Sequence, residues 1–440
     1  MINRAKLALW IASTVVGGCS TGSLGQGGAD SGSSSGGGSS GGSSTSSGSS
    51  GSSNSSSGGT GSGTSSDGGS GGSSSGGGPD SSGGRDGSVN ADGASGGDDG
   101  GAADGTAPHP DAGPNPDVVA LMEQVADWQI GQLGTSTAET WVESTFYAGL
   151  MATYRTTAQA KYLSTVTSWG GANGWNLLSP NTDADNECAG QAFVEAYDVQ
   201  MDATRIAATR SALDGLVANP QEGRSLWWWA DSLFMAPAVF AKLGAATSQT
   251  SYVDAMDTMF WDSTSYLQDP SSSLFWRDSS FFGQTCPNGQ KMFWSRGNGW
   301  VIAGTARIID ALPQGYPSRA KYVTLFQAMA STLLGLQRPD GYWPSCLTDA
   351  ADYPEPETSG TAAFTFALAW GLNRGLLDPS KYRAAADNGW SALVSAIDSS
   401  GALGWVQPVG GAPGPSMQSD TAPYGVGLFL LAGSEVAVLP

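Results

Sequence analysis

From about Asp117 to the end of the chain, apolar residues recur every three to four positions in roughly twelve stretches. These begin near Val118, Trp141, Ala158, Cys188, Ala203, Trp228, Ser251, Gly297, Ser318, Ser359, Lys381 and Ala422. Such spacing places the apolar side chains on one face of a helix. Breakers stand between the stretches: Asn219-Pro220, Asp269-Pro270, Pro313 to Pro317, Arg338-Pro339-Asp340-Gly341 and Gly410 to Pro415. Strand-like alternation is scarce, so the pattern predicts an all-α domain over residues 117–440. Shared among six helical hairpins, that length leaves roughly 54 residues per hairpin, enough for two helices of three to five turns and their loops. Six hairpins closing on themselves make an (α/α)6 barrel with the more apolar helices inside and a cleft at its loop-bearing end.

Ahead of this pattern the chain changes character. Residues 1–19 read as a signal peptide: Arg4 and Lys6, an apolar run from Leu7 to Val16, then Gly17-Gly18-Cys19. The run is too short to span a bilayer. Val16-Gly17-Gly18-Cys19 resembles a bacterial lipobox, which marks Cys19 for lipidation and places the protein in the cell envelope, membrane-attached through a lipid anchor only. Residues 20–116 are mostly Gly and Ser, too polar to repay the entropy of ordering, and read as a disordered linker. As a random coil it reaches about 50 Å.

Composition narrows the chemistry. The 440 residues carry 39 acids against 19 bases, a formal net charge of -20. Residues 1–116 hold only three of those bases and nine of the acids, so the helical part is acidic too. A phosphate backbone is held by clustered Lys and Arg, so nucleic acid is excluded as a partner. The single histidine, His109, stands in Pro108-His109-Pro110, outside the periodic region. That removes Ser-His-Asp and Cys-His catalysis in their usual forms and imidazole zinc sites. Acid–base work falls to carboxylates, with no metal and no cofactor expected. Cys188, Cys286 and Cys346 allow at most one disulfide, and the sequence does not say which.

Several segments carry candidate chemistry. In Arg224-Ser225-Leu226-Trp227-Trp228-Trp229-Ala230-Asp231-Ser232, a carboxylate lies in the densest hydrophobic surroundings of the chain. Desolvation there raises a carboxyl pKa, as a general acid requires. Alternatively Asp231 caps the helix that follows; local sequence leaves both open. Asp183-Ala184-Asp185-Asn186-Glu187 supplies a second carboxylate, Asp185, to pair with it. It lacks the turn glycine and terminal glutamate of a calcium loop. Trp294-Ser295-Arg296-Gly297-Asn298-Gly299-Trp300 sets an Arg between two tryptophans, suited to the carboxylate and ring of an acidic sugar. Arg277, Trp229, Thr358 and Ser359 are further candidates for the same cleft, although an N-cap is the default role for Thr358 or Ser359. Most of the sixteen tryptophans are expected to fill the wide core.

Taken together these segments, with Arg338 to Trp343, Pro356 to Gly360 and Tyr424 to Glu435, resemble the unsaturated uronyl hydrolases of glycoside hydrolase families 105 and 88, most nearly the unsaturated rhamnogalacturonyl hydrolases. The resemblance spans residues 117–440. It implies an (α/α)6 barrel, a monomer, and an oligosaccharide substrate whose terminal sugar is an anionic 4,5-unsaturated uronic acid left by a polysaccharide lyase. It implies Asp231 as proton donor, Asp185 as its supporting carboxylate, and Arg296 and Trp300 as residues that hold and stack the unsaturated ring. Where many relatives carry Asp-Asp-His, this chain has Asp185-Asn186-Glu187. Two other functions are open to the same fold: a glycan-capturing lipoprotein without catalysis, and an inverting glycosidase on saturated sugars.

Overall fold

The computed structural model describes residues 113–440. The signal, the lipidation cysteine Cys19 and nearly all of the Gly/Ser linker lie outside the described residues. Twelve long helices follow: α1 (Pro116–Leu133), α2 (Trp141–Thr157), α3 (Ala160–Ala172), α4 (Ala189–Val199), α5 (Thr204–Ala218), α6 (Pro237–Thr247), α7 (Thr250–Leu267), α8 (Ser295–Ala311), α9 (Arg319–Leu334), α10 (Thr358–Asn373), α11 (Pro379–Ser395) and α12 (Pro423–Val436). Short helical turns at Ala184–Glu187, Gly223–Leu226 and Ser232–Met235 sit in the loops between them.

Packing sorts the helices into two rings. Each even-numbered helix touches the next even one, from α2 through α4, α6, α8 and α10 to α12, and α12 returns to α2. The odd-numbered helices pack outside, each against at least one inner helix adjacent to it in sequence. This is the closed (α/α)6 toroid expected from the hairpin count. The inner helices are apolar almost all round, as a helix enclosed on every side must be; every residue of α8 from Ser295 to Ile309 is buried.

Links from an inner helix to the next outer one are short (158–159, 200–203, 248–249, 374–378), which forces antiparallel hairpins. Links from outer to inner are long (173–188, 219–236, 268–294, 335–357, 396–422). All long loops therefore collect at the end where the six inner helices begin. Inner-helix N-termini carry partial positive charge, so this end favours anions. The disulfide Cys286–Cys346 joins two of these loops, and Cys188 is buried and unpaired.

The stretch beginning near Trp228 departs from expectation. No long helix starts there; Trp227 to Ala230 run irregularly, Ser232–Met235 makes one turn, and α6 begins only at Pro237. Proline has no N–H to give to the turn before it, so the helical ladder is interrupted.

Ring closure depends on close contact of backbones. A Cβ on Gly149 of α2 would lie 2.4 Å from the Gly427 carbonyl oxygen, and one on Gly427 of α12 would lie 2.3 Å from that of Thr145. Neither backbone can step aside inside a packed ring. Gly427→Val is expected to cost about 3 kcal/mol or more, measured as a lowered urea midpoint. Gly131→Ala on exposed α1, where a Cβ meets nothing, should be neutral or stabilising by about 0.5–1 kcal/mol.

Candidate active site

Asp231 stands at the start of the turn Ser232–Met235, at the long-loop end. Its side chain makes no capping hydrogen bond, which removes the capping alternative. The residue is 9% exposed, between the buried Trp229 and Phe234 in sequence. Its Oδ2 has no hydrogen-bond partner in the chain and lies 3.8 Å from Arg277 Nε. Burial raises the Asp231 pKa above the ordinary carboxylate value, against the opposing pull of Arg277 and Arg296.

Asp185 is half-buried just ahead of α4. Its carboxyl is pushed up to about 7, first by burial and then by the negative charges of Asp231 and Asp183, with Arg277 opposing. Two carboxylates that raise one another resist ionising together. The pair therefore retains a proton near neutral pH. Asp183 holds the turn in place by accepting from the Asp185 N–H at 3.0 Å.

Arg277 is brought here by two sets of bonds. Its carbonyl accepts from the Ala230 N–H at 2.7 Å, which lays the loop alongside Asp231. Two residues earlier, Phe275 donates its N–H to Asn298 Oδ1 at 2.7 Å, and Asn298 Nδ2 donates to the Phe275 carbonyl at 3.0 Å. The guanidinium lies 5.4 Å over the Trp228 ring and donates to Asp278 Oδ2 at 2.7 Å.

Other candidates from the sequence have different tasks. Arg296 is 1% exposed and sits 4.5 Å over Trp294 and 5.0 Å over Tyr424. Its Nη1 donates to the Gln407 carbonyl at 2.6 Å and its Nη2 to that of Pro408 at 3.0 Å. A buried planar cation with several donors fits converging carbonyls; it ties down the 405–411 loop and is not open to a sugar carboxylate. Trp300, 0% exposed, packs with Trp141, Phe234 and Tyr424, and offers no ring face for stacking. Trp294 is buried, its indole N–H given to Gln407, and Trp229 is buried as well. Thr358 donates to the Gly404 carbonyl, and Ser359 donates to Glu357. Glu357 is the cap of α10, accepting from the Ser359 and Gly360 N–H groups. It replaces the two hydroxyl residues in that role because its longer carboxylate reaches back to both donors.

Three residues at this end went unread in the sequence. Trp228 is the one exposed tryptophan among the described residues; a run of three tryptophans does not say which of them turns outward. Asn298 was inside a motif but overshadowed by Arg296. Glu187 is wholly buried, and its pKa is raised well above the ordinary value, first by burial and then by the charge of Asp183, with Trp227 opposing.

A helical toroid with paired, desolvated carboxyls at its loop-bearing mouth has the build of a glycoside hydrolase. Residues 118–439 match Glycosyl Hydrolase Family 88, and the chain belongs to that family. It is 34% identical to the unsaturated 3S-rhamnoglycuronyl hydrolase of Alteromonas sp. (strain LOR), over 72% of this chain and 84% of that one. It is also 34% identical to the enzyme of the same name from Formosa agariphila, over 73% and 91%. An unsaturated rhamnogalacturonyl hydrolase of Bacillus subtilis matches at 25% identity over 39% of this chain and 47% of its own. Among solved structures, a family 88 glycosyl hydrolase from Bacteroides vulgatus superposes with a TM-score of 0.70 at 27% identity, covering 74% of this chain and 99% of that one. A protein named as a polysaccharide lyase gives the same TM-score at 30% identity, covering 73% and 97%.

A carboxyl with a raised folded pKa favours the folded state while it is protonated. For Asp185 that contribution is complete below the unfolded value of about 4 and is lost as pH rises through about 7. Glu139, pushed up to about 7 by burial, acts in the same direction. Thermal unfolding midpoints should therefore fall between about pH 4 and pH 8, and Asp185→Asn should flatten part of that fall. An identical slope in wild type and variant would contradict the burial of this carboxyl.

Proposed function

We propose that this protein removes a 4,5-unsaturated uronic acid from the non-reducing end of a lyase-generated oligosaccharide. The observation that carries the reading is a buried carboxyl, Asp231, whose pKa burial raises, with Asp185 in electrostatic reach and Arg277 beside it. The enol ether of an unsaturated uronate needs a proton delivered to carbon, which calls for a donor still neutral near physiological pH. Asp231 gives its proton to C4 and water adds at C5, returning a proton to the carboxylate. The hemiketal so formed opens, and the remaining sugar chain is released. Asp185 keeps the pair singly protonated through the cycle. Arg277 holds the uronate carboxylate, since the Arg296 guanidinium is committed to carbonyls.

For the sugar that follows, the relatives at 34% identity support rhamnose next to an unsaturated glycuronyl end, and the more distant rhamnogalacturonyl relative shares the rhamnose. The lyase name of one similar structure favours a second reading, elimination on intact polymer. One absorbance assay separates them. The hydrolase abolishes the ultraviolet absorbance of lyase-cut ulvan or pectin products; a lyase creates that absorbance from uncut polymer. Asp231→Asn should keep the fold and lower the hydrolytic rate by about 10²–10⁴. Undiminished absorbance across ulvan, pectin, alginate and glycosaminoglycan lyase products would rule the hydrolase reading out.

We also propose that Cys19 is lipidated and that the protein works as an envelope-anchored monomer. The Val16-Gly17-Gly18-Cys19 motif supports the anchor. The Cys286–Cys346 disulfide suits an oxidising compartment, and one chain supplies every residue of the site. Labelled palmitate should enter the full chain in a bacterial host, and Cys19→Ala should remove the label.

A further inference from the structure

Among the described residues two cations act on Asp231, Arg277 and Arg296. Arg296 is tied in place: its two terminal nitrogens donate to the carbonyls of Gln407, Pro408 and Gly410 and to the Tyr424 hydroxyl. Arg277 is held by less. Among the described residues its guanidinium donates a single hydrogen bond, from Nη1 to Asp278 Oδ2 at 2.7 Å. The backbone bond from Ala230 and the Asn298 bonds fix the loop, but the guanidinium stands at the end of a long side chain and is placed by what its own nitrogens meet. The Trp228 ring attracts it without fixing the direction of its N–H groups.

On the side of Asp231 the guanidinium is unjoined. Arg277 Nε is buried without a hydrogen-bond partner, Asp231 Oδ2 likewise, and the two atoms are 3.8 Å apart. A charge-assisted bond between them would measure about 2.7–2.9 Å, so a shift of about 1 Å would join them. A buried donor and a buried acceptor so close gain by meeting, and the one bond that holds them off is the bond to Asp278. Asp278 is 6% exposed, and its other oxygen, Oδ1, accepts from the Ser280 N–H at 2.8 Å and the Ser280 hydroxyl at 2.6 Å, capping the turn Ser279–Phe281. That cap fixes the carboxylate, and the carboxylate fixes Nη1. Against burial, the bonds from Ser280 and Arg277 hold the Asp278 carboxyl below the ordinary range, so it keeps its charge. Of the remaining charged groups on the neighbouring elements, Asp185 also acts on Asp231. Glu187 is coupled to Asp183 and Trp227, and Lys242 of α6 and Arg307 of α8 are bound to Glu195.

We propose that Asp278 is a positioning residue for Asp231 that acts through Arg277: its carboxylate keeps the guanidinium within reach of Asp231 but short of a direct pair. Asp231 then meets a ligand with one oxygen unpaired. The inference rests on the hydrolase reading only for what Asp231 does next, and the placement can be tested without turnover.

The test titrates the full chain by NMR with its aspartate carboxyl carbons isotope-labelled, the Asp231 resonance being identified by its loss in Asp231→Asn. In Asp278→Asn the amide oxygen can still accept from Ser280, while the amide nitrogen offers Arg277 no acceptor. The guanidinium should close on Asp231, and the Asp231 midpoint should fall by about one pH unit or more relative to wild type. Asp278→Ser, whose hydroxyl also caps a turn, serves the same purpose should the first variant misfold. Asp278→Glu, which keeps the charge, should restore most of the wild-type midpoint. Removing a negative charge near Asp231 lowers its midpoint by itself, so the same substitution is also made beside Arg277→Gln, where the fall should be much smaller. An unchanged midpoint in Asp278→Asn, or an equal fall with and without Arg277, overturns the proposal. The pH profile of hydrolysis is read separately, and its alkaline limb should move down with the Asp231 midpoint. The expected titration in a chain that hydrolyses no unsaturated product leaves the placement standing and removes the catalytic reading.

Discussion

The architecture turns on keeping one carboxylic acid away from water without fully neutralising it by a partner. Burying an unpaired carboxylate costs several kcal/mol, which raises the pKa of the group. At Asp231 burial outweighs Arg277, whose nearest nitrogen is 3.8 Å away, beyond a tight pair. A guanidinium in direct contact would pull the carboxyl toward its ionised form. The spacing is set by backbone: Ala230 to Arg277 on one side, Asn298 to Phe275 on the other.

The opposite end of the toroid shows the converse outcome. Glu195 on α4 is equally buried, which by itself would raise its pKa, yet Lys242, Arg155 and Arg307 together hold it well below the ordinary range. Arg307 Nη2 is 2.6 Å and Lys242 Nζ 2.9 Å from Glu195 Oε1, with Arg155 Nη1 3.0 Å from Oε2. Those cations gather toward the C-terminal ends of inner helices, where partial negative charge favours them. Both carboxyls are buried; the number and distance of the cations decide which way each pKa moves. A ring of parallel inner helices separates the two environments in one small domain.

Much of this was legible in the sequence. The helical period gave the class, and eleven of the twelve expected starts lie within two or three residues of observed helices, because helix boundaries follow breakers and caps that are local. Asp231 stood out because it follows three consecutive tryptophans, although the local sequence left a helix cap equally open. The roles of Arg296, Trp300, Thr358 and Ser359 were not legible, because proximity in sequence to a motif does not say which side of a helix faces the cleft. Trp300 lies one turn inside α8, where every face is packed, and stacking on substrate gives way to core filling. Trp228 shows the reverse: two of the three consecutive tryptophans, Trp227 and Trp229, turn inward, and only the irregular backbone between them points the middle one out.

The reassignment of Arg296 has a consequence for how such a site diversifies. Its guanidinium binds the carbonyls of Gln407, Pro408 and Gly410, so it fixes the shape of a loop that reaches the mouth from the last hairpin. A Cβ on Gly411 of that loop would come 3.4 Å from the Arg277 guanidinium carbon, which places the loop against the cation whose Nε lies 3.8 Å from Asp231. Anchoring by backbone carbonyls does not depend on the loop's side chains. The exposed positions Pro408 and Val409 can therefore change without moving the anchor. The toroid thus separates two demands: buried inner helices hold the frame around Asp231 constant, while long loops pinned by their backbones remain free to vary the side chains they present at the mouth.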